Sequence, residues 1–350
     1  MTENIYLRPQ GLLYGPAARL AVEDGHAGRL AGGQIAFSAL EVIEGAAGTA
    51  KRSFAPFAHL AGAREEAIAQ RLGRISAPRP EIAGLTLDAP RIMGVVNVTP
   101  DSFSDGGLFD NTEAAIAHGA RLAQEGADIL DIGGESTRPG SDPVEAAQEA
   151  ERIVPVIEGL NGVKAIISAD TRKADVMEKA ASAGAHMLND VSALSHDPES
   201  LSVASKSGLP IVLMHAQGDP KTMQDDPYYD DVLLDLFDYL GDRIAACEAV
   251  GISRDRLVID PGIGFGKTLE HNLALLGGLA LFHGLGVPVL LGASRKRFIG
   301  TLAGEPDAQK RMPGSIAAAL AGLARGVQII RVHDVTETRQ ALSVWSAVNA

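Results

Sequence analysis

From Arg91 to its end, the sequence alternates eight times between a short apolar run and a longer stretch of helical periodicity. The apolar runs are continuous, which is typical of parallel strands covered on both faces by helices. This α/β pattern predicts a (β/α)8 TIM barrel, because eight strand-helix units in about 260 residues favour closure over an open doubly wound sheet. The predicted strands lie at 92–98, 128–133, 165–170, 186–191, 210–215, 256–262, 287–294 and 327–333.

Residues 1–85 follow a different pattern, with two strand-like stretches and a helical stretch at 59–74. Pro78, Pro80 and Pro90 then punctuate a linker into the repeating part. The chain is therefore predicted to divide into a small N-terminal α/β extension, 1–85, and a barrel, 86–350. No constellation in the extension points to a chemical role.

Composition excludes several classes of function. A net charge of −13 and an aromatic content of 4% argue against binding to nucleic acids or anionic membranes. The single cysteine, Cys247, rules out an intrachain disulfide framework. The chain shows neither a signal-peptide pattern nor an apolar run of about 18 residues, so a soluble cytoplasmic protein is expected.

Polar side chains recur where the predicted strands end. The carboxyl ends of barrel strands meet at one mouth, and an unpaired buried polar group costs roughly 1–3 kcal/mol. Any one of these residues can be structural, but the whole set predicts a ligand site. The strand ends deliver Asn97, Thr137 with Arg138, Asp170, Asn189 with Asp190, Met214 with His215, Asp260, Lys296, and Arg331 with His333.

Four of these residues suit a flat heterocycle such as a pterin or a guanine-like ring. Two carboxylates accept from amino and ring N–H groups, an amide both donates and accepts, and an ammonium donates to a carbonyl or ring nitrogen. The four are Asp170, Asn189, Asp260 and Lys296. Met214 and Phe265 are candidates for the apolar floor and wall, with ordinary core packing as the alternative.

Asn97, Arg331 and His333 come from the first and last strands, which are neighbours in a closed barrel. Phosphate groups commonly bind near the last loops of such barrels, so a phosphate or diphosphate is expected there. Mg²⁺ would bind mainly to diphosphate oxygens, with Asn97 as a candidate ligand. For His333 a structural role at the last helix is the alternative. The segment GIGFGK, 262–267, does not match a P-loop, and its glycines are predicted to form a tight turn.

The chain from about Arg91 onward closely resembles dihydropteroate synthases of folate biosynthesis. NVTPDSFSDGG (97–107) and GGESTRPG (133–140) look like that family's two signature loops. MHAQGDPKTMQ, DPGIGFGK, GASRKRFIG and RVHDV follow in matching order, and the resemblance covers about three quarters of the chain.

The resemblance implies a Mg²⁺-dependent transferase that joins 6-hydroxymethyl-7,8-dihydropterin diphosphate to p-aminobenzoate, giving 7,8-dihydropteroate and diphosphate. It implies that loops 99–109 and 135–140 close over p-aminobenzoate, where sulfonamides would compete. Loss of diphosphate before amine attack, an SN1-like substitution, fits this assignment. A homodimer is usual for the family. The loop residues implied are Phe103, Asp105, Thr137, Arg138 and Pro139.

One departure concerns Arg297, which stands where some family members carry Ser near the p-aminobenzoate carboxylate. A main-chain N–H at a helix start is the other candidate for holding that carboxylate. Two other functions compete: a methyltetrahydrofolate–corrinoid methyltransferase on the same barrel, and a catalytically dead homologue that acts through its extension. Thr137, Arg138, Arg331 and His333 count against the methyltransferase, which needs no diphosphate site.

Overall fold

The computed structural model describes residues 5–98, 108–136, 141–218 and 221–350. The chain begins with four strands: β1 (Ile5–Leu13), β2 (Gly28–Arg29), β3 (Ala36–Glu44) and β4 (Lys51–Pro56). Strand β3 pairs antiparallel with each of the other three. Helices α1 (Gly15–Glu23), α2 (Phe57–Ala61) and α3 (Glu66–Ser76) accompany this sheet. The single helix predicted at 59–74 is wrong, because the chain leaves the helical path after Ala61 and re-enters it at Glu66.

Eight parallel strands then form the main body of the molecule. They are β5 (Arg91–Asn97), β6 (Ile129–Gly133), β7 (Ile166–Asp170), β8 (Met187–Asp190), β9 (Ile211–Met214), β10 (Leu257–Asp260), β11 (Leu290–Gly292) and β12 (Ile329–Val332). Strands β5 to β10 pair in chain order, and β12 lies between β5 and β11. A parallel bridge between Ile259 and Val289 joins β10 to β11. The predicted (β/α)8 barrel is confirmed.

Helices follow the strands around the barrel. They are α4 (Leu108–Gln124), α5 (Ala146–Gly159), α6 (Ala174–Ser182), α7 (Ser200–Ser207), α8 (Val232–Ala249), α9 (Leu269–Gly278), α10 (Arg297–Ala303), α11 (Met312–Leu323) and α12 (Val335–Val348). All eight predicted helices are present, and α10 is an addition that was too short to show a period. Local capping fixes several starts, as where the Asp231 side chain accepts from the Leu233 and Leu234 N–H groups. In the described part of the chain, no helix is long and apolar enough to cross a membrane.

Alternate residues of each strand line the barrel lumen, as the period of two requires. At the amino end these residues are apolar and form one buried cluster, which Ile82 closes from below. Two or four positions further along, most of these strands place a polar residue in the lumen, and β9 instead places Met214 there. The members of the cluster are Ile82, Met93, Ile129, Met187, Val212, Val258, Leu290 and Ile329. The apolar floor thus places the polar layer at the carboxyl ends.

The N-terminal extension packs against the outside of the barrel. Buried Tyr6 lies edge-on to Phe237 of α8, with ring centroids 5.4 Å apart, and its hydroxyl donates to Asp238 (2.7 Å). At the other end, the Tyr14 hydroxyl donates to the Ala324 carbonyl (2.6 Å). Apolar packing and buried hydrogen bonds therefore hold the extension on α8 and the end of α11.

His283 lies in the short turn Leu279–Leu285, beneath the extension. Its Nε2 donates to the Arg325 carbonyl (2.9 Å), while its own carbonyl accepts from Arg79 (3.1 Å). Burial, assisted by the positive charge of Arg79, lowers the pKa of His283 to about 3. The folded protein thus keeps this imidazole neutral at pH values where an unfolded chain would protonate it.

We expect His283→Gln to flatten the acid side of the stability profile. Below a pH of about 6.5 the histidine binds a proton in the unfolded chain but not in the folded protein. Protonation therefore stabilises the unfolded state, and the free energy of unfolding falls as pH falls. Between pH 7 and pH 5.5 the wild type should lose about 1–2 kcal/mol more than the variant. Urea unfolding at the two pH values measures this, and parallel losses in both proteins would contradict it.

Candidate active site

The polar layer of the lumen brings three of the predicted residues to one mouth. Asp170 ends β7 and is paired in register with Asn189 of β8. Asp260 ends β10 beside Met214 of β9, which is buried as a floor residue would be. Because parallel strands end at the same rim, these side chains converge as the sequence predicted.

Arg331 of β12 reaches across the lumen to two carboxylates. Its Nε donates to Asp131 (2.6 Å) and its Nη2 donates to Asp170 (2.7 Å). Asp131 is fully buried in β6 and also accepts from the Ser168 hydroxyl (2.7 Å) and the Asn189 amide (3.0 Å). Every side chain of this cluster therefore has a charged or hydrogen-bonded partner, which buried polar groups require.

The charges of this cluster shift one another's protonation. Burial raises the pKa of Asp170 to about 8, with a further contribution from the negative charge of Asp131, while Arg331 opposes the shift. Burial also raises the pKa of Asp260, against the nearby charge of Lys296. These carboxylates are buried, so few water molecules stabilise their ionised form. N–H donors on a ligand would stabilise that form and lower the pKa values again.

Lys296 lies at the opposite side of the mouth, after β11. Its Nζ donates to the Ile263 carbonyl and lies 4.5 Å from the centroid of the Phe265 ring. Burial lowers the pKa of Lys296 to about 8, opposed by the negative charge of Asp260. Phe265 and Lys296 thus form one wall, in which an apolar ring flanks an ammonium donor.

The glycines of GIGFGK form the turn after β10, as the sequence predicted. Gly262, Gly264 and Gly266 all have positive φ, between 63° and 85°. An added Cβ on Gly262 would overlap the His215 carbonyl, so the turn packs directly on the end of β9. The Gly262 N–H donates to Asp260 (2.8 Å), which fixes that carboxylate toward the lumen.

Two polar residues at strand ends serve the barrel rather than the mouth. Asp190 accepts from Ser192 and Leu194 N–H groups at 2.7 and 3.0 Å, and so holds the turn after β8. His215 Nδ1 accepts from the buried Lys267 ammonium (2.9 Å). Burial and the charge of Lys267 lower the pKa of His215 to about 2, so the ring is neutral.

Asn97 and His333 lie at the rim, on the neighbouring strand ends β5 and β12. His333 Nδ1 is 3.0 Å from the Ser294 hydroxyl, which links β12 to the end of β11. Arg297 is the first residue of α10. Phe103, Asp105, Thr137, Arg138 and Pro139 lie outside the described residues, so their predicted place in two closing loops stays a prediction.

Sequence reasoning missed two buried charged residues: Asp131, which belongs to the mouth, and Lys267, which supports the barrel through His215. Asp131 stands inside the run DILDIG rather than at its end, yet a carboxylate in a buried strand requires a partner. Counting back by two from Gly133 places it in the lumen, and the same count from Asp170 finds its partner Ser168. Lys267 was overlooked because it is the last residue of GIGFGK, which was interpreted only as a glycine turn. In the structure its side chain is almost completely buried.

We expect Asp131→Asn to destabilise the barrel by about 3 kcal/mol, because it removes the fully buried carboxylate that pairs with the partly buried Arg331 guanidinium. Asp175→Asn is the matched control, since Asp175 forms an exposed i,i+4 pair with Lys179 and its loss should change stability little. Urea unfolding at pH 7 compares the two. Equal losses in the free energy of unfolding would show that the Asp131–Arg331 pair stabilises the fold no more than an exposed ion pair does.

Comparison with known proteins agrees with this geometry. The Pterin binding enzyme family matches residues 93–333. A dihydropteroate synthase from Neisseria meningitidis serogroup B is 51% identical over 267 residues, which cover 75% of this chain and 94% of that protein. So few residues of that relative lie outside the alignment that it has no counterpart of the 85-residue extension.

Two solved structures extend the comparison. Dihydropteroate synthase from Xanthomonas albilineans, determined with 4-aminobenzoic acid, has a TM-score of 0.74 and 52% identity and covers 78% of this chain and 98% of its own. The Yersinia pestis enzyme, determined with a sulfonamide drug, has a TM-score of 0.72 and 46% identity and covers 75% and 96%. The chain therefore belongs to the pterin-binding enzymes and, within them, to the dihydropteroate synthases, which are transferases.

Proposed function

We propose that the barrel mouth binds 6-hydroxymethyl-7,8-dihydropterin diphosphate and p-aminobenzoate and joins them to 7,8-dihydropteroate. The observation that carries this proposal is the convergence of Asp170, Asn189, Asp260 and Lys296 on one buried mouth beside Arg331. The relatives that bind 4-aminobenzoic acid and a sulfonamide support both the second substrate and its competition by sulfonamides.

In the proposed complex the pterin ring lies between Met214 and Phe265. Asp170 and Asp260 accept from its amino and ring N–H groups, and Asn189 supplies an amide. Lys296 donates to the ring carbonyl or a ring nitrogen, exchanging its present hydrogen bond to a main-chain carbonyl for one to the ligand. Below the ring, Asp131 already accepts hydrogen bonds from Ser168, Asn189 and Arg331. The ring therefore binds above Asp131, at the rim of the mouth.

The proposed reaction breaks the bond between the exocyclic methylene and the diphosphate oxygen. The pair of electrons leaves with diphosphate, and the methylene cation is delocalised into the pterin ring. Asp170 and Asp260 favour that positive charge electrostatically. The amine of p-aminobenzoate then forms the new C–N bond and releases a proton, so no covalent intermediate with the protein is required.

Diphosphate is assigned to the rim formed by Asn97, Arg331 and His333. Arg331 now bridges Asp131 and Asp170, so it contacts one of the two pterin carboxylates directly. Its guanidinium has five N–H donors, of which Nε and Nη2 are used, leaving donors on Nη1 for a phosphate oxygen. The loop residues Phe103, Asp105, Thr137, Arg138 and Pro139 are proposed to surround p-aminobenzoate and exclude water.

Mg²⁺ is proposed as the cofactor. Among the described residues no group of three or more His, Cys, Asp or Glu side chains is placed to hold a metal ion. An ion carried mainly by diphosphate oxygens and water needs few protein ligands, and the amide oxygen of Asn97 at the rim is the ligand that we assign to it. When bound, the ion would neutralise charge on the leaving diphosphate.

A second copy of the chain is the partner that we propose. Helices α11 and α12 enclose an apolar groove of about 620 Å³ on the outside of the barrel. Val344 and Val348 stand beside it with 62% and 78% of their surfaces exposed. Exposed apolar patches of this kind mark interfaces, and a two-fold axis through the groove pairs it with itself.

A cytoplasmic location also belongs to this proposal, and the free buried Cys247 suits a reducing compartment.

Release of diphosphate tests the proposed reaction. Purified protein with Mg²⁺, the pterin diphosphate and p-aminobenzoate should release diphosphate only when p-aminobenzoate is present. Lys296→Ala should lower kcat/KM by about 10- to 100-fold, the value of a buried charge-assisted hydrogen bond. Lys310→Ala, which removes an exposed lysine, is the matched control. Turnover of the Lys296 variant within a few-fold of wild type would refute its assignment to the pterin site.

The dimer has its own test. Val344→Glu places a charge in the groove between α11 and α12 and should convert the particle from twice 36.4 kDa to a single chain. Val250→Glu, at an exposed valine at the end of α8, should leave the mass unchanged. Light scattering after size exclusion measures both, and a monomeric wild type would refute the dimer.

A further inference from the structure

The hairpin between β3 and β4 of the extension lies against the segment that precedes α8. Arg52 of β4 donates to Glu41 of β3 (3.0 Å) and forms an ion pair with Asp231. Glu41 is itself buried and is held from the other side by Arg8 of β1 (2.5 Å). Arg52 is thus fixed within the extension by an ion-pair network and presents its second amino group to the barrel.

Asp231 links this contact to helix α8. Its Oδ1 caps the helix by accepting from the Leu233 and Leu234 N–H groups at 3.1 and 3.4 Å, and its Oδ2 pairs with Arg52. One residue earlier, Asp230 packs so closely on the hairpin that a Cβ added to Gly48 would lie 3.3 Å from its own Cβ. The extension therefore contacts the start of α8 through both charge and shape.

The same segment contacts the glycine turn of the mouth. The Tyr229 hydroxyl donates to the Gly266 carbonyl (2.8 Å), and the Gln224 amide donates to the Gly264 carbonyl (2.7 Å). Gly264 lies directly beside Lys296, since an added Cβ would be 3.2 Å from the lysine Cδ. Contacts of ordinary hydrogen-bond and van der Waals length thus run from Arg52 to the wall that Phe265 and Lys296 form.

Charge makes this contact consequential. The segment from 225 to 235 carries carboxylates at 225, 226, 230, 231 and 235. Among the described ion pairs, Arg52 is the cation that reaches this segment. Without it, the acidic segment would repel itself and would add negative charge beside a mouth that takes up a diphosphate ester.

We propose that Arg52 is a positioning residue and that the extension serves to hold segment 221–231, and through it Lys296, in the geometry that binds the pterin substrate. The proposal rests on the role assigned to Lys296 in the proposed function. It gives the extension a task within this enzyme that the barrel of the Neisseria relative accomplishes without one.

The test compares Arg52→Ala with Tyr14→Phe. Tyr14→Phe removes a hydrogen bond at the far end of the extension, away from the mouth. We expect Arg52→Ala to raise KM for the pterin diphosphate three- to tenfold and to change kcat less than twofold. Tyr14→Phe should leave both constants unchanged. Arg52→Lys, which keeps the charge, should recover part of the loss, and Glu41→Gln should have an intermediate effect.

A second readout does not depend on activity. Lys221 is exposed, so trypsin cleavage after it reports on the segment directly. Cleavage should be several-fold faster in Arg52→Ala than in wild type or Tyr14→Phe. Arg52→Lys keeps one charged amino group where Arg52 uses two, so it should be cleaved at an intermediate rate, which keeps the test decisive where the alanine variant fails to fold. Equal cleavage, or an equal KM in the two variants, would refute the proposal. If the variants differ in cleavage as expected but the wild-type protein releases no diphosphate, the proposed function is refuted and the role of Arg52 in holding the segment is not.

Discussion

The ion pairs of the partly buried Arg331 guanidinium with Asp131 and Asp170 are the interaction on which the site depends. They join three strands that are remote in sequence, and they let two carboxylates remain close in the lumen despite their repulsion. Burial and the negative charge of Asp131 nevertheless keep the pKa of Asp170 raised, because Arg331 offsets them only in part. A ring that brings N–H donors supplies what Arg331 cannot, and binding of such a ring favours the ionised acid. The mouth therefore favours a ligand that offers several N–H donors.

The barrel separates packing from chemistry along each strand. A single alternation places apolar residues of β5 to β12 in the floor and polar ones in the layers above it. The floor gives rigidity to the polar layer, because each polar side chain stands one or two steps beyond a close-packed one on the same strand. Gly292 leaves the side of the lumen next to Asp260 free of a side chain, since an added Cβ there would lie 3.4 Å from that carboxylate. The mouth is therefore pre-organised by the core that supports it.

The parts of this arrangement that are local in the sequence were predictable. Strand ends and the turn glycines follow from the residues next to them, which is why the barrel and the convergence of Asp170, Asn189 and Asp260 could be derived. Asp131 was not, because its meaning depends on an arginine 200 residues away. The same holds for the extension, whose place is set by contacts such as Tyr6 to Asp238, across 232 residues. Short elements such as α10 carry too few residues to show a period.

The extension and the acidic segment before α8 are best understood together. An acidic stretch at the entrance of a site for a diphosphate ester is unfavourable alone. The buried Glu41 requires cationic partners, which are Arg8 and Arg52. Arg52 answers both, since it bonds Glu41 on one side and Asp231 on the other. The Neisseria relative, 94% of which aligns with this chain, has no counterpart of the extension. In our proposal its influence acts on how well the mouth holds its ligand, and it reaches the mouth through the glycine turn beside Lys296.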